Sequence, residues 1–384
     1  MPTFRVKAVE NDAEYFATYA LTSLAFGGSV DTEPVLAAMD NDKQHPTFQY
    51  DQHRIGVLDG EVVAYAVASP YTLRYGAAEL TFGGIGAVCS HPEQRMKGYV
   101  AAVMRDTIAY MQARGDHLSL LNTGVENLYA KFGYQTLWSD GSVEIETANA
   151  LQLSSSLRVR AAAVKDWAQM AALFDRTMAQ RVTMIRSRET WAWRMADASD
   201  KHLRVVEDSS GQIAGYLVGF YGNQQLELVA DSDEAVATLL ADSARIFQDG
   251  GPAKLSILVT PDEHLLHRIR RMVACEMHME FNPGANWMAR IIDAEGFREA
   301  VLPEMTRQSG LDLRGLIFTI QPDSISLGLH GQDSTQVELE QGTFLQVLFG
   351  ILPPAVLPLH PDAIHLLERL FPRRDFIISP WDWF

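Results

Sequence analysis

The stretch Gly83-Gly-Ile-Gly-Ala-Val-Cys-Ser-His-Pro-Glu-Gln-Arg-Met-Lys-Gly-Tyr-Val100 concentrates groups that can do chemistry. It reads as a buried strand, Leu80–Ser90, then a tight loop, then a helix opening at Tyr99. Backbone amides left free at a helix N-terminus, aided by the helix dipole, form an anion site. Gly98 has no Cβ to hold a phosphate away from the backbone. Arg95 and Lys97 add positive charge. The chemistry implied is capture of a phosphate or pyrophosphate. A second group lies downstream, where Asn122 follows the strand His117–Leu121 and Leu128-Tyr-Ala-Lys-Phe-Gly-Tyr134 comes shortly after. Tyr129 has an ordinary pKa of about 10, so it is protonated at neutral pH and can donate. The bland alternatives are a glycine-rich sheet bulge and an aromatic turn packed on a core.

The surrounding elements repeat. An amphipathic helix, Asp12–Ala25, precedes a hairpin of His53–Leu58, the turn Asp59-Gly60 and Glu61–Ala68. A helix, Tyr99–Ala113, and the strand His117–Leu121 follow. Val100, Val103, Met104, Ile108 and Met111 share one face of that helix, and Gly115 ends it. The same order recurs as Val164–Arg181, Leu203–Val206, Gln212–Phe220, Asp233–Gln248 and Lys254–Val259. This is a duplicated α/β unit. In the second copy the loop reads Leu228-Val-Ala-Asp-Ser-Asp-Glu-Ala235, with three carboxylates and no glycine. It would repel a pyrophosphate. The last block, with strands Leu316–Ile320, Ser324–Leu329 and Thr335–Leu339 and helices Thr343–Gly350 and Pro361–Leu370, reads as a small α+β module.

Arg95-x-x-Gly98-x-Val100 resembles the Arg/Gln-x-x-Gly-x-Gly/Ala loop of GNAT N-acetyltransferases, with Val100 in place of the usual small residue. Tyr129-x-x-Phe-Gly-Tyr134 resembles the segment that carries their tyrosine near the coenzyme A thiol. The whole chain is similar to the Eis-like branch, with Val337-Glu-Leu-Glu-Gln-Gly-Thr-Phe-Leu-Gln-Val-Leu-Phe-Gly350 echoing its C-terminal module. The resemblance implies two tandem GNAT-type mixed-sheet domains, an active one at 1–150 and a degenerate one at 151–288, then a sterol-carrier-protein-like α+β domain at 289–384. It implies acetyl-CoA as co-substrate, with Val88, Ser90, Arg95, Met96, Lys97, Gly98, Tyr99, Val100 and Asn122 around it. It also implies a homo-oligomer, a hexamer. Tyr129 would be the general acid. The base would be the α-carboxylate of Phe384, since no carboxylate lies on Leu80–Ser90 and the branch brings its C-terminus into the site. Trp381, Trp383 and Phe384 would anchor that end. Asp31 and Glu33, in a loop after the first helix, and Glu126 are candidate acceptor contacts.

The net charge of −16 argues against nucleic acid and suits a cationic amine acceptor such as an aminoglycoside-like compound, a polyamine or a lysine. Hydrophobic residues at 47% and charged residues at 21% are the balance of a globular chain. Apolar runs stop short of the ~20 residues that span a bilayer, so no membrane partner is expected. The first residues show no apolar leader segment, and two distant cysteines, Cys89 and Cys275, build no disulfide framework. A cytoplasmic location is the expectation. His264-x-x-His267 lacks a third ligand, so no metal is expected, and His91 reads as structural. Trp167, Trp191 and Trp193 read as core or interface. The competing reading is a non-catalytic binding protein whose last block holds an apolar ligand.

Overall fold

The computed structural model describes residues 3–28, 32–138, 141–154, 156–196, 202–219, 224–247, 253–259, 264–279, 286–330 and 332–382. The first unit runs β1 (Phe4–Ala8), α1 (Asp12–Phe26), α2 (Thr32–Lys43), β2 (His53–Leu58), β3 (Glu61–Tyr75), β4 (Ala78–Ser90), α3 (Tyr99–Arg114), β5 (Leu118–Thr123), α4 (Glu126–Ala130) and β6 (Gln135–Trp138). After β7 (Gly141–Glu146) and α5 (Thr147–Ala150), the second unit runs β8 (Arg158–Ala161), α6 (Trp167–Met178), β9 (Val182–Met184), α7 (Arg188–Ala196), β10 (His202–Glu207), β11 (Ile213–Gly219), β12 (Gln224–Ala230), α8 (Asp233–Phe247), β13 (Lys254–Val259), α9 (His264–Met272) and β14 (Glu276–Met279). The C-terminal block follows with β15 (Asn286–Ile291), α10 (Ala294–Ser309), β16 (Leu316–Ile320), β17 (Ser324–Leu329), β18 (Gln332–Glu340), α11 (Gln341–Leu348), α12 (Pro361–Leu370) and β19 (Phe376–Ile377).

The fold is mixed α/β, and the two large sheets have the same strand order. The first is β1-β2-β3-β4-β5-β15-β6, and the second, read from its other edge, is β8-β10-β11-β12-β13-β7-β14. The repeat seen in the sequence is therefore a repeat of topology. Each sheet takes its sixth strand from the other side of the chain. β7 follows the first unit but pairs antiparallel with β13, Val143 opposite Ile257. β15 follows the second unit but pairs with β5, Met288 opposite Leu121. The sheets thus exchange strands across residues 150 and 288. Register locks this exchange. Val143 and Ile145 are fully buried in the second core, while Trp287 and Ala289 are buried in the first. A strand with a buried face cannot slip by one residue without turning that face to water.

One face of the first sheet carries α3, and the other carries α1 and α2 at one end and the C-terminal block at the other. Leu73, Phe82, Leu118 and Trp287 from the sheet join Phe297, Phe318, Phe344 and Phe371 in one apolar core. The last strand, β19, runs parallel to β9, and β9 pairs with the far end of β3. This path returns the chain end to the junction of the two sheets. Among the described residues no helix is long and apolar enough to cross a membrane.

Candidate active site

β4 and β5 lie parallel only from Phe82 opposite Leu118 to Gly84 opposite Leu120. Beyond that point β4 keeps its pairing with β3 alone, and β5 keeps its pairing with β15. A register shift against Tyr65 to Val67 puts an extra residue into β4, where Ala87 has φ of 51°. This is a bulge, and a bulge bends its strand away from its neighbour. The two strands open into a wedge between the first unit's helices. Val88 faces the α3 side with Tyr99, Val100 and Tyr129. Cys89 faces the α1 side with Tyr15 and Tyr65, and Ser90 ends the strand opposite Ala64.

The loop after β4 turns on two positive-φ residues, Met96 at 63° and Gly98 at 85°. Gly98 is the N-cap of α3; no side chain caps the helix, and no acid lies in its first turn. A Cβ built on Gly98 meets nothing within 4 Å, so the loop is open at the start of α3. Met96, Lys97 and Arg95 are exposed around it. Lys97 Nζ donates to Gln94 Oε1 at 2.8 Å, and Arg95 Nη2 reaches the Ala25 carbonyl at 3.4 Å. His91 accepts from the Glu93 amide at 3.3 Å, the structural role its position suggests. The equivalent end of α8 is filled by the chain itself. Ser232 Oγ accepts from the Ala235 amide, and Arg268 bonds both Asp233 and the Ala230 carbonyl.

Tyr129, on α4, is 6% exposed. Burial pushes its hydroxyl up to about 12, against a hydrogen bond from Thr123 at the end of β5, and the Cys89 thiol lies near. Tyr129 therefore stands across the wedge, between the last residues of β4 and β5. Burial likewise pushes Cys89 up to about 11. Asn122 is exposed on β5 opposite Trp287. Glu126 opens α4 and accepts from Thr136 Oγ1 at 2.9 Å. It lines a groove against α11 rather than the wedge. Glu33 sits exposed in the first turn of α2, a helix where the sequence suggested a loop. Asp31 and Phe384 lie outside the described residues.

A cavity of about 380 Å³ adjoins the wedge at Ala87. Its walls include residues that sequence reasoning did not single out: Asp42, His45, His53 and Arg194. Asp42, on α2, accepts from Tyr15 Oη at 3.2 Å and from Tyr19 Oη. His53 Nδ1 and Tyr65 Oη lie 2.7 Å apart. Burial pulls both His53 and His45 down to about 4, so each is neutral at pH 7. Trp193 closes one side, its ring edge-on to His45 at 4.6 Å. Val35 and Met39, one turn apart and buried, were the available signal for α2 and hence for Asp42.

Residues 6–137 match the acetyltransferase (GNAT) domain. No curated protein matches the chain in sequence. Among solved structures, a GCN5-related N-acetyltransferase from Kribbella flavida superposes with a TM-score of 0.71 at 16% identity, over 100% of this chain and 99% of that one. A probable N-acyltransferase from Enterococcus faecalis V583 gives 0.72 at 16% identity over 100% of both chains. Eis1 from Mycobacterium abscessus gives 0.62 at 15% identity, over 96% of this chain and 97% of that one. At such identities the likeness is one of fold.

Proposed function

We propose that the protein transfers an acetyl group from acetyl-CoA to the amine of a cationic acceptor. The matched domain supports acyl-CoA-dependent N-acetyltransfer in general. The observation that carries the reading is the joining of the wedge to the uncapped α3 terminus. A pyrophosphate on the amides of Tyr99, Val100 and Ala101 leads its pantetheine arm into the gap between β4 and β5, with its thioester near Tyr129. Arg95 and Lys97 supply charge at the outer end. The acceptor enters from the cavity, where Asp42 pairs with an ammonium and the tyrosines give a face for its cation. The amine nitrogen bonds to the thioester carbon, the carbon–sulfur bond breaks, and the Tyr129 hydroxyl donates to the departing thiolate.

Before attack the ammonium must lose a proton. A chain ending at Phe384 carries a carboxylate for that step. Asp382 is 1% exposed and bonded to Arg194, a wall of the cavity. The C-terminal block is a scaffold in this reading, since Phe297, Phe344 and Phe371 fill its interior at 0–2% exposure. A sterol-carrier-like shape without a bound ligand is part of this reading. The homo-oligomer is part of the same reading, and light scattering should give a multiple of 42.7 kDa.

Calorimetry with acetyl-CoA tests the core of the proposal. One site per chain is expected, and Gly98→Asp should weaken it at least a hundredfold, because a carboxylate would stand against the pyrophosphate. Two sites, or unchanged affinity in the variant, would sink it.

A further inference from the structure

Arg186 is buried in the second unit, just after β9. Its guanidinium makes a two-pronged contact with Asp382, Nε to Oδ1 at 2.8 Å and Nη2 to Oδ2 at 2.6 Å. It makes another with Glu227 on β12, Nη1 to Oε1 at 2.9 Å and Nη2 to Oε2 at 2.5 Å. Phe174, Trp191 and Trp381 surround its cation at 4.3, 4.9 and 5.2 Å. Arg194, on α7, completes the set, with Nη2 3.3 Å from Asp382 Oδ1 and Nη1 donating to the Trp381 carbonyl. Two cations and two carboxylates balance, and all four side chains are at most 9% exposed.

Such a cluster is a poor source of stability, because pairing does little more than offset the desolvation of its members. What it delivers is geometry, and that geometry ends at the acceptor cavity. Arg194 belongs to both. On one side Asp382 and Trp381 hold it; on the other it lines the cavity beside Trp193 and His45. Arg194 Nε and Trp193 Nε1 are buried without a hydrogen-bond partner among the described residues, and both residues belong to this wall. The opposite charge in the cavity is Asp42, from the first unit. The cavity is therefore lined by a carboxylate residue of one unit and by an arginine and a tryptophan of the other.

We propose that Asp382 is a positioning residue for the transfer reaction, holding Arg194 in the wall of the acceptor cavity. The second unit, whose own helix terminus is filled by Asp233 and Arg268, acts on the first unit's site through this clamp. The assignment rests on the function proposed above. It sets the acceptor class as an amine that also carries a hydrogen-bond acceptor, a hydroxyl or carbonyl oxygen, to meet Arg194 and Trp193.

The test uses the full chain with two substitutions that remove one charge of each sign, Arg186→Met with Asp382→Met. Glu227 keeps the Tyr216 hydroxyl and Arg194 the Trp381 carbonyl as partners. Folding is checked first by melting temperature, and Asp382→Asn, which keeps the shape and removes the charge, carries the same test if the double variant does not fold. Acetyl-CoA affinity by calorimetry should stay within twofold. The KM for lysine amide, which has an amide oxygen, should rise at least tenfold, while that for cadaverine, the same chain without it, should change less than threefold. A second readout needs no acceptor. Arg194 helps hold the His45 imidazole below its ordinary range, so freeing Arg194 should move the His45 titration followed by NMR. A folded variant with unchanged lysine amide KM and an unmoved His45 titration would overturn the assignment. Equal losses for both amines would overturn the acceptor class. Failure of the wild-type protein to bind acetyl-CoA would overturn the function proposed above and leave the His45 readout to judge the clamp by itself.

Discussion

Replacing Tyr129 by Phe removes one oxygen from a group that stands across the wedge. The ring stays, 6.2 Å and edge-on from Tyr134, so packing changes little. The lost partner is Thr123, a hydrogen bond worth about 0.5–1.5 kcal/mol. For a chain of 384 residues that is a fall of roughly 1–2 °C in Tm. The catalytic effect is larger and can be bounded. A thiol has an ordinary pKa of about 8.5, whereas burial holds Tyr129 up at about 12. Full proton transfer to the thiolate is therefore uphill, and Tyr129 acts as a strong hydrogen-bond donor to the sulfur as it leaves. That places its contribution at the lower end of general-acid effects, about a hundredfold in kcat. The wild-type rate should show no loss from Tyr129 ionisation up to pH 10, since the donating form persists to about 12. The assay is thiol release from acetyl-CoA with a chromogenic disulfide, paired with calorimetry on the same protein. A rate within threefold of wild type would make Tyr129 a structural residue. A tenfold loss of acetyl-CoA affinity would show that it supports binding rather than departure of the thiolate.

Asp42→Asn keeps an acceptor for Tyr15 and Tyr19 but removes the charge, so the KM for a cationic amine should rise at least tenfold with acetyl-CoA affinity unchanged; equal KM values would place the ammonium elsewhere. His53 has a folded pKa of about 4, below its ordinary value of about 6.5. The unfolded chain then binds the extra proton between those values, so stability is full above pH 6.5 and falls as pH drops toward 4. The loss is on the order of 3 kcal/mol, and His53→Gln should flatten that part of a urea-stability profile against pH; an unchanged slope would assign the acid sensitivity to other groups.

Local signals carried the loop before α3 and the repeat. Free amides, Gly98 and the apolar face of Val103, Met104 and Met111 lie within one strand–loop–helix segment, so their meaning needs no distant partner. The hairpin of β2 and β3 was legible for the same reason, with Asp59 and Gly60 at its turn both at positive φ. The ends of elements were less so: β3 continues to Tyr75 because its far half pairs with β9, more than a hundred residues on. α2 escaped notice because two buried positions, Val35 and Met39, are a thin stripe among polar residues. Asp42 and the cavity it lines were hidden with it.

The sequence by itself determined that a glycine-led helix terminus follows a strand and a tight loop, that it does so in one of two copies of a unit, and that Tyr129 follows it at the distance of one helix and one strand. Tertiary structure alone decided what stands opposite it. The strand exchange of β7 and β15 depends on which buried faces fit which sheet. The clamp of Arg186, Glu227, Arg194 and Asp382 joins four parts of the chain separated by up to 196 residues. No periodicity or spacing encodes such a meeting, because ion pairs form wherever packing brings charges together after the sheets have closed.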